Sequence, residues 1–199
     1  MLAAEATHRD HAIVEQVIAE LKNGPLAHLP SGVFTANAAW LACAMLAFNL
    51  TRAFLPYMLT RQSGAIACVT SPASYLAWPN AAAYIAARRA LAGFTEALRG
   101  EVKGKGVSVT LVVLGTVETP YWEHNPGSRQ YLPKTESWLA PTLSADEAAE
   151  AIFAGVERGK RTVVKPAIFR ALFLLNALFP RLVARQLRRA ALNSPTNRA

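Results

Sequence analysis

Gly64-Ala65-Ile66-Ala67-Cys68-Val69-Thr70-Ser71 and Tyr84-Ile85-Ala86-Ala87-Arg88 are the two pieces of this sequence that decide the fold. The first is a short apolar run opened by Ser63-Gly64, the pattern of a strand over 65–70 buried on both faces of a parallel sheet. The second sits in an amphipathic helix predicted over 80–102, starting after Pro79-Asn80. Working outward, Lys103-Gly104-Lys105-Gly106 reads as a loop, and Val107 to Leu114 as a second apolar strand closed by Gly115. A loop rich in Pro, Gly and aromatics is expected over 120–141. Ser144-Ala145-Asp146-Glu147 then has the form of a capping box for a helix ending near Arg158-Gly159. Thr162 to Lys165 is a third short strand, ended by Pro166. Strand, helix, strand, helix, strand is the grammar of an α/β fold with a parallel sheet of about three strands and right-handed crossovers.

Two residues in this frame invite chemistry. Ser71 falls at the carboxyl end of the first strand, where open α/β sheets place their ligands. Tyr84 follows thirteen residues later, at the start of the helix, and Arg88 shares its helix face at i+4. A permanent cation beside a phenol favours the phenolate. Such a tyrosine can exchange a proton with a substrate hydroxyl or carbonyl while a serine hydroxyl holds the same oxygen.

This segment resembles the short-chain dehydrogenases/reductases. The family pattern is a strand ending in Ser, about thirteen residues, then Tyr-x-x-x-Lys on a helix. It stands here as Ala67-Cys68-Val69-Thr70-Ser71, then Tyr84-Ile85-Ala86-Ala87-Arg88, then Arg89-Ala90-Leu91-Ala92-Gly93-Phe94. Val112-Val113-Leu114-Gly115-Thr116-Val117-Glu118-Thr119-Pro120 is similar to the family's next strand and the Thr beyond it. The lead-in Phe54-Leu55-Pro56-Tyr57-Met58-Leu59 and the tail around Phe179-Pro180-Arg181 are similar too, so the resemblance spans roughly residues 50–190. It implies a partial Rossmann-like sheet and an NAD- or NADP-dependent oxidoreductase interconverting a small-molecule alcohol and ketone. It further implies Tyr84 as general acid/base, Ser71 as the residue orienting the carbonyl, and Arg88 in the place of the Lys that holds the nicotinamide ribose. Gly115, Val117 and Thr119 fall at cofactor-contacting positions.

The sequence also departs from the pattern. Arg88 replaces Lys, keeping the charge but not the shape or the capacity to pass a proton. Leu114 stands where the family has Pro, and the family's catalytic Asn would fall near Cys43, with Asn49 too late. Gly104-Lys105-Gly106 is the only Gly-x-Gly, it has Val109 in place of a third Gly, and it lies between helix and strand rather than strand and helix. The expectation is a chain without the phosphate-binding first half of the fold, and so with impaired cofactor binding.

Residues 1–53 follow a different grammar. Ile13, Val14, Val17, Ile18 and Leu21 predict a helix over 11–23 stopped by Gly24-Pro25, and a second apolar helix is expected from about 36 to 59. His8, His11, Glu15 and Lys22 sit in a register that resembles the C-terminal end of DDE-type insertion-sequence transposases, with His at the family's Tyr and Arg positions. The resemblance covers about residues 7–52. It implies a hybrid chain: a helical transposase-like remnant over 1–53, a truncated dehydrogenase-like domain over 54–190 and a frayed tail over 191–199. A catalytically inactive hybrid and a transposase-related protein are the alternative readings.

Charge narrows the partners. The net charge is +8, but residues 1–53 carry three Lys or Arg against four acids, and residues 151–199 carry ten against one. The excess belongs to a tail, which argues against nucleic acid as a partner. The arginines of 181–189 read as a solvated or interface helix face; because Phe169, Leu172, Phe173, Leu178 and Phe179 supply an apolar side beside them, peripheral contact with an anionic membrane is the sharper alternative. The uncharged stretch 29–51 holds Pro30, Gly32, Asn37 and Asn49, and its dense apolar part is about half of the roughly 20 residues a span requires. Two cysteines, no Cys-x-x-Cys spacing and no signal-peptide pattern point to a cytoplasmic chain with no metal site. The apolar strand 65–70 is expected to expose an unpaired edge and drive self-association.

Overall fold

A computed structural model of the chain describes residues 49, 51–124, 132–133 and 141–192. In chain order these form α1 (51–61), β1 (Gly64–Thr70), a 3₁₀ turn (Pro72–Ser74), α2 (Ala82–Glu101), β2 (Val107–Leu114), α3 (Tyr121–His124), α4 (Ala145–Glu157), β3 (Thr162–Lys165), α5 (Ile168–Leu178) and α6 (Pro180–Leu192). The predicted helix 11–23, the His8, His11, Glu15 and Lys22 register and most of the stretch 29–51 lie outside the described residues.

The three strands form one parallel sheet in the order β1-β2-β3, with Ala65 opposite Ser108 and Val112 opposite Val163. β2 is central, and Val112 and Val113 are fully buried. Alternation along β2 divides the core into two layers. Val109, Leu111 and Val113 face α2, the end of α1 and α5, packing with Leu98, Leu91, Leu59 and Phe169. Val112 and Leu114 face α4, packing with Ala148 and Ala151.

The α/β parallel sheet thus forms as the residue pattern predicts, with one correction. β1 reaches β2 through α2 on one face, and β2 reaches β3 through α4 on the other. Both crossovers step across the sheet in the same direction, so they have opposite hands, and one is not right-handed. The long 115–144 connection allows this. It is pinned by an isolated parallel bridge between Val117 and Leu143, which brings the chain to the second face where α4 begins.

Local signals account for the boundaries. The Ser144 hydroxyl accepts from the Glu147 N–H at 3.1 Å and the Glu147 carboxylate accepts from the Ser144 N–H at 2.8 Å, completing the capping box. α1 runs two residues beyond its predicted end at 59. It closes on paired bonds from Ser63 N–H to Met58 O and Gln62 N–H to Leu59 O, with Gln62 left-handed at φ 51°. The predicted loop 120–141 contains the helical turn α3, and α6 continues through Leu192 rather than fraying at 191. Gly106 has φ +72°, and a Cβ there would collide with the Gln62 carbonyl. The sequence's only Gly-x-Gly is therefore a turn between α2 and β2, packed on the end of α1.

Candidate active site

Ser71 is the N-cap of the 3₁₀ turn, and Pro72 follows at the first turn position, where its missing N–H is no loss. The Ser71 Oγ accepts from the Ala73 N–H at 3.2 Å. That bond uses a lone pair, so the hydroxyl proton stays available to donate. The residue is half-buried at the carboxyl end of β1.

The turn is fastened to α2 by a buried hydroxyl relay. Ser74 Oγ donates to the Arg88 carbonyl at 3.0 Å and lies 2.7 Å from Thr70 Oγ1. A hydroxyl has one proton, and that of Ser74 goes to Arg88, so Thr70 donates to Ser74. Strand end, turn and helix are thereby held together one turn from both Ser71 and Tyr84. Sequence reasoning passed over Thr70 and Ser74; the Ser71-Pro72 cap pair was the available local signal.

Tyr84 lies in the first turn of α2 and is 40% exposed. The Arg88 guanidinium carbon is 4.9 Å from its ring centroid, stacked over the face. The Trp78 ring lies 6.5 Å away at 50°. A cation over the ring face binds the quadrupole, a contact of roughly 0.5–1 kcal/mol at an exposed site. It fixes the ring from one side and leaves the phenol edge open.

The strand ends bring the other candidates to the same end of the sheet. The Gly115 N–H donates to the Lys165 carbonyl at 2.8 Å, and a Cβ at Gly115 would lie 2.9 Å from the Pro166 ring and 3.0 Å from the Phe169 ring, so a side chain there would crowd the two rings just past β3. Val117 is held in its bridge to Leu143, and its carbonyl accepts from the Trp122 indole at 2.7 Å. Thr119 is half-buried just before α3 and its carbonyl accepts from the Trp122 N–H. Hydroxyl, phenol and guanidinium donors thus stand at the end of the sheet where α/β folds take ligands such as dinucleotides. The pyrophosphate end has no glycine loop to receive it among the described residues, since Gly104 to Gly106 form a turn.

A cavity of about 580 Å³ lies on another face of α2, lined by Tyr75, Arg89, Glu96, Arg99 and Arg161. Neither Ser71 nor Tyr84 borders it. Arg99 donates to the carbonyls of Val109 at 3.1 Å and Arg161 at 2.6 Å, clamping β2 to the start of β3. Burial, and then the charge of Arg161, lower the Arg99 pKa from its ordinary value.

Comparison with known proteins agrees with the fold. Residues 43–129 match the short chain dehydrogenase family, a stretch that begins inside the segment read as transposase-like. The chain is 35% identical over 127 residues to 11-beta-hydroxysteroid dehydrogenase-like 4A of Arabidopsis thaliana, covering 63% of this chain and 40% of that one. It is 39% identical over 105 residues to the uncharacterized oxidoreductase YxnA of Bacillus subtilis, covering 51% and 29%. Among solved structures, it superposes on a short-chain dehydrogenase from Burkholderia cenocepacia in complex with NADP with a TM-score of 0.62 at 25% identity, over 76% of this chain and 58% of that one. The chain therefore spans less than half the length of these curated relatives, and what it shares with the short chain dehydrogenase family is a similarity over residues 43–129.

Proposed function

We propose that Ser71, Tyr84 and Arg88 form the proton-handling end of an NAD(P)-dependent oxidoreductase site that interconverts an alcohol and a ketone. The observation that carries this reading is the Ser74–Arg88 bond, which ties the Ser71 turn to the Tyr84 helix at the carboxyl end of the sheet. Reducing a ketone requires a proton on the carbonyl oxygen. Tyr84 gives that proton from its phenol, and Ser71 donates a hydrogen bond to the same oxygen. In the reverse direction the Tyr84 phenolate takes the proton from the alcohol. Arg88 moves no proton, because a guanidinium does not deprotonate. It holds the Tyr84 ring and offers donors to a ribose hydroxyl. A bound nicotinamide cofactor supplies or accepts the hydride at the carbonyl carbon. The NADP of the Burkholderia relative supports a nicotinamide cofactor, and the hydroxysteroid in the Arabidopsis relative's name is an alcohol of the proposed class.

Weak cofactor binding belongs to the proposal, because Gly104-Lys105-Gly106 is a turn and not a phosphate loop. The same observation favours a second reading, a catalytically inactive chain that keeps the fold of the site. Turnover of an alcohol series with NAD and NADP at saturating cofactor separates the two. Activity lost in Tyr84→Phe supports the first reading; no activity in the parent chain supports the second.

A further inference from the structure

α5 is apolar on two opposite faces. Its inward face carries Phe169, Leu172 and Phe173, with Phe169 and Phe173 packed on the sheet. Asn176 on that side donates to the Tyr75 carbonyl at 3.1 Å. The outward face carries Ala171, Leu174, Leu175 and Leu178, with Leu174 62% and Leu178 64% exposed. A helix apolar all round is normally covered all round. The exposed apolar surface continues through Phe179 and Leu182 into α6.

α6 has the opposite character. It buries Val183 and Ala191. Arg181, Arg185, Arg188 and Arg189, at i, i+4, i+7 and i+8, share its exposed face. From Arg158 to the last residue the sequence has ten Lys or Arg and no Asp or Glu.

We propose that α5 and α6 attach the chain to the surface of an anionic phospholipid bilayer. Leu174, Leu178, Phe179 and Leu182 would enter the acyl boundary and the α6 arginines would meet lipid phosphates. The eleven residues of α5 rise only about 16 Å, so the helix lies on the membrane and does not cross it; among the described residues no helix is long and apolar enough to span. A second copy is the competing occupant, because α4 exposes Asp146, Glu150 and Glu157. That face offers only Phe153 as a large exposed apolar side chain, too little to cover the α5 leucines. This inference is independent of the Tyr84 site.

The test is flotation of the full chain with phosphatidylcholine vesicles, with and without phosphatidylserine. The protein floats with the phosphatidylserine vesicles and is released by salt. Arg185→Gln with Arg188→Gln weakens binding roughly thirtyfold, about fivefold for each cation removed. Leu174→Ser with Leu178→Ser removes binding, with circular dichroism reporting the fold; the arginine pair alone decides if the leucine pair misfolds. No flotation of the parent chain, or equal flotation of parent and arginine variant, overturns the proposal. So does an oligomer dissolved by both Arg185→Gln and Glu150→Gln, which assigns the face to a second copy.

Discussion

The Ser74 hydroxyl donates to the Arg88 carbonyl at 3.0 Å, joining the turn after β1 to the second turn of α2. Thr70 and Ser74 are both buried, and no buried side-chain polar atom among the described residues lacks a partner. Ser74→Ala leaves the Thr70 hydroxyl without its acceptor. A loss of about 1–3 kcal/mol in unfolding free energy is expected, measured by urea denaturation. A change within error would mean that the relay adds nothing to the fold.

Arg88 stacks on the Tyr84 ring at 4.9 Å. Under saturating cofactor, Arg88→Lys is expected to raise turnover roughly tenfold, because a compact ammonium can approach a ribose hydroxyl more closely than a planar guanidinium held over the Tyr84 ring. Tyr84→Phe is expected to lower it about a hundredfold or more. Unchanged turnover in Tyr84→Phe would remove this residue from the proton path.

With Gly106 confined to its turn by a φ of +72° and the Gln62 carbonyl, no glycine loop among the described residues is left to cradle a pyrophosphate. NADH and NADPH are expected to bind with a Kd of roughly millimolar or weaker. Calorimetric titration reporting micromolar affinity would contradict this.

β1 pairs with β2 along one edge; among the described residues no strand pairs with the other. Ala65, Ala67 and Val69 of this edge strand are exposed. An apolar strand with a free edge templates further pairing. Self-association at micromolar concentration is expected in sedimentation velocity without detergent. A single monomeric species with a cooperative melt would show the edge to be protected.

Tyr75 stacks on Phe173 at 4.5 Å, and burial, then Glu96, raise its pKa above the ordinary 10.0. Its folded value exceeds its unfolded value, so the stability it contributes is complete below about pH 10 and is lost as pH rises through the folded value. In a tyrosinate absorbance titration, Tyr75→Phe should delete a late-titrating component. Loss of an ordinary component instead would place the Tyr75 ring in solvent.

The sheet and its chemistry-bearing ends were legible because their signals are local. A strand apolar on both faces, as at 107–114, reads from composition alone, and the Ser144–Glu147 box marks its helix through side chains three residues apart. The positions of Ser71 at a strand end and Tyr84 at a helix start were legible from spacing, since a strand end and the first turn of the next helix meet at one end of any parallel sheet. Tertiary structure decided everything that depends on which face a distant segment reaches. The second crossover lies on the opposite face because 115–144 is long enough to carry the chain there. Arg88 lies over the Tyr84 ring because a long side chain at i+4 chooses its rotamer from its neighbours, and Ser74 reaches the Arg88 carbonyl only once turn and helix are packed. By sequence alone, Phe169, Leu172 and Phe173 share one membrane-facing side with Leu178 and Phe179; docking turns Phe169 and Phe173 onto the sheet and leaves Leu174, Leu178 and Phe179 exposed.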